Sequence, residues 1–254
     1  MDRMIYTALN SVKNLHDVRM STAQNLSSVD IPGFRKDLPN DGGSAFVQAL
    51  DQASARVFNL ETGKAGFSDI QGALKQTGLK TDISIVSNGY FYVQPTDANT
   101  EIALSRRGDL ALNVEGFLIN GAGEKMLDAN FQPIELRPFT DIKFSNIGEI
   151  SIEPLDGPPG KFVFSGLIGL TSALNEKLTK HADGQIRRFD GSVPEPDQGA
   201  VISQGMLEAA NVDTVSELVA SLDAQRQFEM SVKFIKLAED IDRGGAELMR
   251  LPQN

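Results

Sequence analysis

Cysteine and tryptophan are both absent from this 254-residue sequence. Without cysteine there is no disulfide, no thiolate nucleophile and no cysteine-type zinc site. Such a chain suits passage out of the cytoplasm in an unfolded state. Histidine is scarce too: His16 and His181 stand far apart, and neither has a histidine or acidic neighbour at metal-ligand spacing. His16 falls on an apolar helical stripe and reads as a packing or interface residue. Basic residues number 24 against 34 acidic, for a net charge of −10, and they cluster no further than the doublets Arg35-Lys36, Arg106-Arg107 and Arg187-Arg188. Nucleic acid is therefore not an expected partner. No apolar run approaches the length of a membrane span, so no membrane insertion is expected. The opening Met1-Asp2-Arg3-Met4-Ile5-Tyr6 lacks a basic region, an apolar stretch and a cleavage site, so no cleavable export signal is expected either.

Catalytic signatures are missing in the same way. Gly121-Ala122-Gly123-Glu124-Lys125 only superficially suggests a phosphate loop and falls in a hairpin turn. The many acids form no convincing catalytic pair, and Arg107-Gly108-Asp109 is a tripeptide common by chance. Neither catalytic residues, nor cofactor, nor metal are expected, and the chain does not read as an enzyme.

What the chain does have is helix at both ends and strand between. Apolar residues make up 41% of the sequence, enough to bury a core. Met1, Ile5, Ala8, Leu9, Val12, Leu15, Ala23 and Leu26 fall within roughly 120° of one another at helical spacing, which predicts a first helix over about 1–29. Asp30-Ile31-Pro32-Gly33 should stop it, and Phe34 follows as a buried anchor. Residues 36–44 read as a polar, glycine-rich loop, and 44–55 as a short helix. Strand-like runs then recur at 83–86, 90–94, 102–105, 110–114, 117–119, 125–127, 134–136, 142–144, 150–152, 162–165 and 168–170. Asn88-Gly89, Glu115-Gly116 and Asn120-Gly121 supply turns that tolerate positive φ. Pro154, Pro158 and Pro159 suit sheet edges, and residues 191–199 a flexible connector. The expected class is α+β: paired long N- and C-terminal helices of matched length, coiled-coil-like, around a mostly antiparallel β domain. The corresponding domains are 1–35 with 206–250 (helical), 36–82 (connecting) and 83–200 (β-rich).

The last helix, about 212–249, has two apolar sides. Phe228, Val232 and Ile235 lie on one, and Met230, Phe234, Leu237 and Ile241 nearly opposite. A helix with a single partner does not need both. Either it sits inside one protein's core, or one side packs the first helix and the other packs neighbouring subunits. Each helix buries a gain comparable to its own ordering entropy, so the termini should be weakly ordered in an isolated monomer. Arg226, in an apolar neighbourhood, is expected to pair with Glu217 or Glu229.

Read as motifs, the two ends meet a family. Asn25, Leu26, Gly33, Phe34 and Arg35 match the N-terminal signature of the bacterial flagellar axial proteins (rod, hook and hook-associated). Asn211-Val212-Asp213, Glu217-Leu218-Val219 and Gln225-Arg226-Gln227-Phe228-Glu229 resemble the C-terminal signature of the same family. The run Thr77-Gly78-Leu79-Lys80-Thr81-Asp82-Ile83-Ser84-Ile85 with Asn88-Gly89-Tyr90-Phe91 is similar to the start of its shared β domain. The opening Met1-Asp2-Arg3-Met4-Ile5-Tyr6-Thr7-Ala8 and Arg226-Gln227-Phe228-Glu229-Met230 lean toward the proximal-rod members.

The resemblance implies a structural subunit of the basal-body rod, polymerising through its terminal helices into a torque-transmitting shaft around the export channel. It further implies location in the periplasmic rod, export by the flagellar type III apparatus without a cleaved signal peptide, and other rod subunits and copies of itself as partners. Assembly residues would be Ile5, Leu9, Val12, Leu15, Asn25, Leu26, Gly33, Phe34, Asn211, Val212, Val219, Leu222, Arg226, Phe228, Met230, Phe234, Leu237 and Ile241. Two alternatives stand beside it: a distal-rod or hook subunit, and a β-sandwich carbohydrate-binding module or hydrolase with a helical dimerisation hairpin. The second would need an acidic pair and exposed aromatics, in a chain with three tyrosines.

Overall fold

A computed structural model describes residues 2–39, 44–48, 55–59, 66–96, 101–174, 176–181 and 183–249. Among them are two helices and seventeen strands. Helix α1 covers Asp2–Ser27 and α2 covers Thr214–Met249. The first strands are β1 (Ser44–Gln48), β2 (Ala55–Asn59), β3 (Leu74–Gln76), β4 (Ile83–Ile85), β5 (Tyr90–Gln94) and β6 (Ala103–Ser105). Next come β7 (Leu110–Leu112), β8 (Leu118–Asn120), β9 (Lys125–Met126), β10 (Phe139–Phe144), β11 (Glu149–Pro154) and β12 (Val163–Leu167). The last are β13 (Leu170–Thr171), β14 (Leu178–Lys180), β15 (Ile186–Arg188), β16 (Ile202–Gln204) and β17 (Met206–Glu208).

The chain divides into two compact units. One comprises residues 1–27, 37–66 and 213–254; the other comprises 28–36 and 67–212. In the second unit every strand pairing is antiparallel. The largest sheet runs β14-β15-β6-β5-β9-β8-β7, with β13 also paired to β5. Strand β5 shows why its sequence is apolar without alternation. Phe91 and Val93 enter the main core beside Ile83, Ile85, Met126 and Leu170, while Tyr90 and Tyr92 enter a second cluster with Leu104, Leu127 and Ile186. Both faces of this strand are covered, the circumstance in which continuous apolar runs occur. A three-stranded sheet, β10-β11-β12, closes the main core with Ile142, Phe144, Ile150 and Ile152.

Asparagines build the hairpin turns. The Asn113 carboxamide oxygen accepts from the backbone of Glu115 and Phe117, and that of Asn120 accepts from Ala122 and Glu124. Gly89 and Gly116 take positive φ as their turns require; after Asn120 the positive φ falls on Gly123 and not on Gly121.

Three sequence expectations are corrected. The chain is not built on two long paired helices of matched length. It is mainly strand, with one long C-terminal helix of 36 residues and a shorter N-terminal one of 26. Helix α1 is cut off by the turn at 28–33 that carries Pro32 and Gly33, whereas α2 meets no proline and passes through Gly244-Gly245. Among the described side chains of α2 the buried ones are Glu217, Ala224 and Ala238, a narrow stripe of small and polar groups and not an apolar coiled-coil seam. Second, the short helix expected over 44–55 is replaced by β1 and β2, paired antiparallel with Ser44 opposite Asn59; residues 49–54 lie outside the described set. Residues 40–43 of the expected polar loop lie outside it as well. Third, 134–136 is not a strand: Glu135 makes one isolated bridge, to Phe117, and Pro133 just before it makes another, to Leu127.

Candidate functional site

In the helical unit, Leu15, Thr22 and Asn25 of α1 are buried, and Val12 and Leu26 are half-buried. Ile5 and Leu9 lie on α1, with side chains outside the described set. Asn25 acts as a junction. Its amide nitrogen donates to the Asp37 carbonyl (2.9 Å) and to Glu217 Oε2 (3.4 Å), while its oxygen accepts from the Asp37 amide (2.7 Å). One side chain thus ties α1, the segment beyond it and the first turn of α2. Helix α2 opens on a cap: the Asp213 carboxylate accepts from the Val215 amide (3.2 Å) and the Ser216 hydroxyl (2.5 Å), with Glu217 in the positive end of the helix dipole.

On α2 the two apolar sides have different fates. Phe228, Val232 and Ile235 are half-buried, and the Arg19 guanidinium stands 5.7 Å from the Phe228 ring centre. On the other side Val219 is 53% exposed, Leu222 57%, Met230 61%, Phe234 52%, Leu237 52% and Ile241 51%. Arg226 belongs to this exposed side. It is 76% exposed and lies 3.6 Å from Asp223, which corrects its expected pairing with Glu217 or Glu229: Glu217 is turned inward on Asn25, and the i,i+3 acid is nearer. His16 is likewise 69% exposed, 3.6 Å from Asp17, and not packed.

In the β unit, the remaining motif residues converge where the chain enters and leaves. Gly33 adopts φ +70°, and a Cβ there would lie 2.4 Å from the Arg106 carbonyl group. Its amide donates to the Glu208 carbonyl (2.7 Å). The ring of Phe34 lies 3.8 Å beneath the Lys180 ammonium, which also donates to the Arg35 carbonyl (3.0 Å). Asn211 binds two other segments of the chain: its amide nitrogen donates to the Ser68 and Ile70 carbonyls (3.0 and 2.7 Å), and its oxygen accepts from the Lys36 amide (2.5 Å). Val212 beside it is half-buried.

Below them lies a buried ionic cluster. Glu208, 1% exposed at its side chain, accepts from Arg106 (2.8 Å), lies 3.3 Å from Arg35, and accepts from the Gly72 amide (2.9 Å). Arg106 also donates to the Gly89 carbonyl (2.8 Å) and to that of Ser87, and Arg35 donates to the Ile70 carbonyl. Burial pulls the Arg106 guanidinium below its ordinary value, and Glu208 opposes that shift. Tyr90, beside this cluster, is pushed up to about 12, chiefly by burial.

Sequence reasoning found Arg35 and missed Arg106, Glu208 and Lys180. The available signal was Glu208 itself, a lone acid between Met206-Leu207 and Ala209-Ala210. A carboxylate in such a run is held only where cations meet it. Arg107 is closed internally on Asp109 at 2.8 and 2.9 Å, while Gly108 lies against the Ile83 carbonyl, so that tripeptide is built into the fold.

Among the described residues no group of three or more His, Asp or Glu could hold a metal, and no helix is long and apolar enough to cross a membrane. The β unit offers buried locks at its chain crossings and the helical unit a long helix with an open apolar side, features of a structural class of protein. A family model described as "Flagellar basal body rod FlgEFG protein C-terminal" matches residues 203–248, which run from β16 through most of α2. The flagellar basal-body rod protein FlgF of Caulobacter vibrioides is 28% identical over 259 residues, 97% of this chain and 98% of its own. FlgG of Bacillus subtilis is 26% identical over 260 residues (95% and 97%), and FlgF of Salmonella typhimurium is 26% identical over 263 (99% and 100%). Along nearly its whole length the chain is thus similar to flagellar basal-body rod proteins, FlgF among them, and that likeness supports a structural rod subunit of the flagellar basal body.

Proposed function

We propose that the chain is a proximal-rod subunit that polymerises through the exposed side of α2, against copies of itself and other rod proteins. The observation that carries this reading is the row Val219, Leu222, Met230, Phe234, Leu237 and Ile241, each more than half exposed on one helix. Contiguous apolar surface of this kind marks an interaction site. In the assembled rod this helix would form the channel-side wall, the β unit would make the outer contacts, and torque would pass through the packed faces. Export through the flagellar type III apparatus into the periplasmic rod belongs to the same reading, as does the absence of any catalytic role. Ile5, Leu9, Val12, Leu15, Asn25 and Leu26 on α1 would shape the helical unit. Gly33, Phe34, Asn211 and Val212 would hold the chain crossings of the β unit. The proximal assignment rests on Arg226-Gln227-Phe228-Glu229-Met230 and the FlgF relatives; FlgG relatives align over the same span, so a distal-rod place is its competitor.

Val219→Asp and Phe234→Asp test it. Both sites are exposed, so the purified variants should fold with an unchanged near-ultraviolet spectrum. Mass spectrometry of purified basal bodies should then find neither variant incorporated, and cells should be non-motile. Stoichiometric incorporation with normal motility would refute the role of this face.

A further inference from the structure

The buried ionic cluster leaves one donor unused. Beside it is a cleft of about 400 Å³ within the β unit, with Arg35, Asp69, Tyr90, Arg106, Glu176 and Lys177 among its walls. Its carboxylates are already engaged. Both Glu208 oxygens, behind the wall, are taken by Arg35, Arg106 and the Gly72 amide. Both Glu176 oxygens are held by Arg188, and Asp69 accepts from the Tyr90 hydroxyl (3.4 Å). Every guanidinium nitrogen of Arg106 has an acceptor. Arg35 is different: it is 3% exposed, and its Nε has no hydrogen-bond partner. Lys177 also lines the cleft; it is exposed, and its ammonium has no ionic partner among the described residues. A buried cationic donor left without an acceptor is costly, and native proteins fill such positions with an anion or water.

We propose that this cleft is an acceptor site for a single carboxylate, supplied by an aspartate or glutamate side chain of a neighbouring subunit. The anion would bridge Arg35 Nε and Lys177 Nζ. A monoanion suits the site because Asp69 and Glu176 stand in the same walls and repel a second negative charge. A chain with 34 acidic residues and a net charge of −10 is itself a ready source of the group. The proposal about the source rests on the reading of this chain as a rod subunit; the proposal about the site does not.

The test therefore has two arms. In the first, the full chain labelled with nitrogen-15 is titrated with acetate at low ionic strength. The Arg35 Nε–Hε cross-peak should move saturably with acetate and less with inorganic phosphate. Lys177→Ala should weaken acetate binding about fivefold, the loss of one partly exposed charge partner, whereas Lys161→Ala, which does not line the cleft, should not. No saturable shift, or equal affinity in Lys177→Ala, would overturn the site. In the second arm, carbodiimide treatment of intact basal bodies should join Lys177 to an acidic residue of another subunit. Links confined to its own chain would overturn the neighbour as source, even with acetate binding intact. Should the chain prove absent from basal bodies, the rod reading fails while the acetate arm still decides the site.

Discussion

At the scale of single residues, fit is decided by backbone and charge. Gly33 and Gly78 both adopt positive φ, +70° and +74°, yet only Gly33 has backbone within 2.4 Å of where a Cβ would stand; Gly78 has nothing within 4 Å. Gly78→Ala should therefore cost only the conformational strain, about 1 kcal/mol. Gly33→Ala adds a clash with the Arg106 carbonyl and should cost at least about 3 kcal/mol. Urea unfolding of the full chain, followed by tyrosine fluorescence, separates the two; equal midpoints would mean that the crossing at Gly33 yields freely.

The tyrosines carry a pH dependence of known sign. Burial pushes both Tyr90 and Tyr92 up to about 12 from an ordinary value of 10, and the Tyr92 hydroxyl donates to the Pro194 carbonyl at 2.8 Å. The unfolded chain releases these protons first, so their contribution to stability is complete below pH 10 and is lost as pH rises toward 12. Thermal melts across pH 9–12 should steepen their decline above pH 10, and Tyr92→Phe should flatten it. An unchanged slope in the variant would place the alkaline transition elsewhere.

At the scale of elements, legibility followed the strength of the period. The strands 83–85, 90–94 and 110–112 were readable because their apolar runs border Asn-Gly or Glu-Gly turns. Strand β3 was not, since Leu74-Lys75-Gln76 is exposed throughout and is held by pairing with β17 over a long sequence separation. Strand β1 was mistaken for a helix because Ser44-Ala45-Phe46-Val47-Gln48 has no strict alternation to oppose the helical spacing. The split of α2 into two apolar sides is visible in the 3.6-residue period alone. The ionic cluster is not, because Arg35, Arg106 and Glu208 lie far apart in sequence and meet only in the fold. Within α2, Gly244 is an interior helical position with nothing near its absent Cβ. Gly244→Ala should stabilise the helix by about 1 kcal/mol and raise helicity measured by circular dichroism. No change would mean that this last stretch is not helical in solution.

At the scale of the molecule, the two units differ in what holds them. The β unit has a core of large side chains, including Phe91, Tyr92, Ile83, Ile85, Met126 and Ile150, each at or near zero exposure. Helix α2 spans 36 residues, yet among its described side chains the buried apolar groups are the methyls of Ala224 and Ala238, with Phe228, Val232 and Ile235 only partly covered. Two methyls contribute roughly 1 kcal/mol each, while ordering a residue costs about 1 to 2 kcal/mol. Helical propagation alone roughly breaks even at this length. An isolated monomer should therefore show slow amide exchange in β4, β5 and β11 and fast exchange along α2 beyond Ala224. Packing the exposed side of α2 against neighbours would supply the missing burial, so the same amides should become protected in purified basal bodies. Hydrogen exchange with mass spectrometry on both forms reads this directly. Full protection of α2 in the monomer would mean that its stability is internal and that assembly is not what orders it; fast exchange persisting in the basal body would mean that the open apolar side stays open after incorporation.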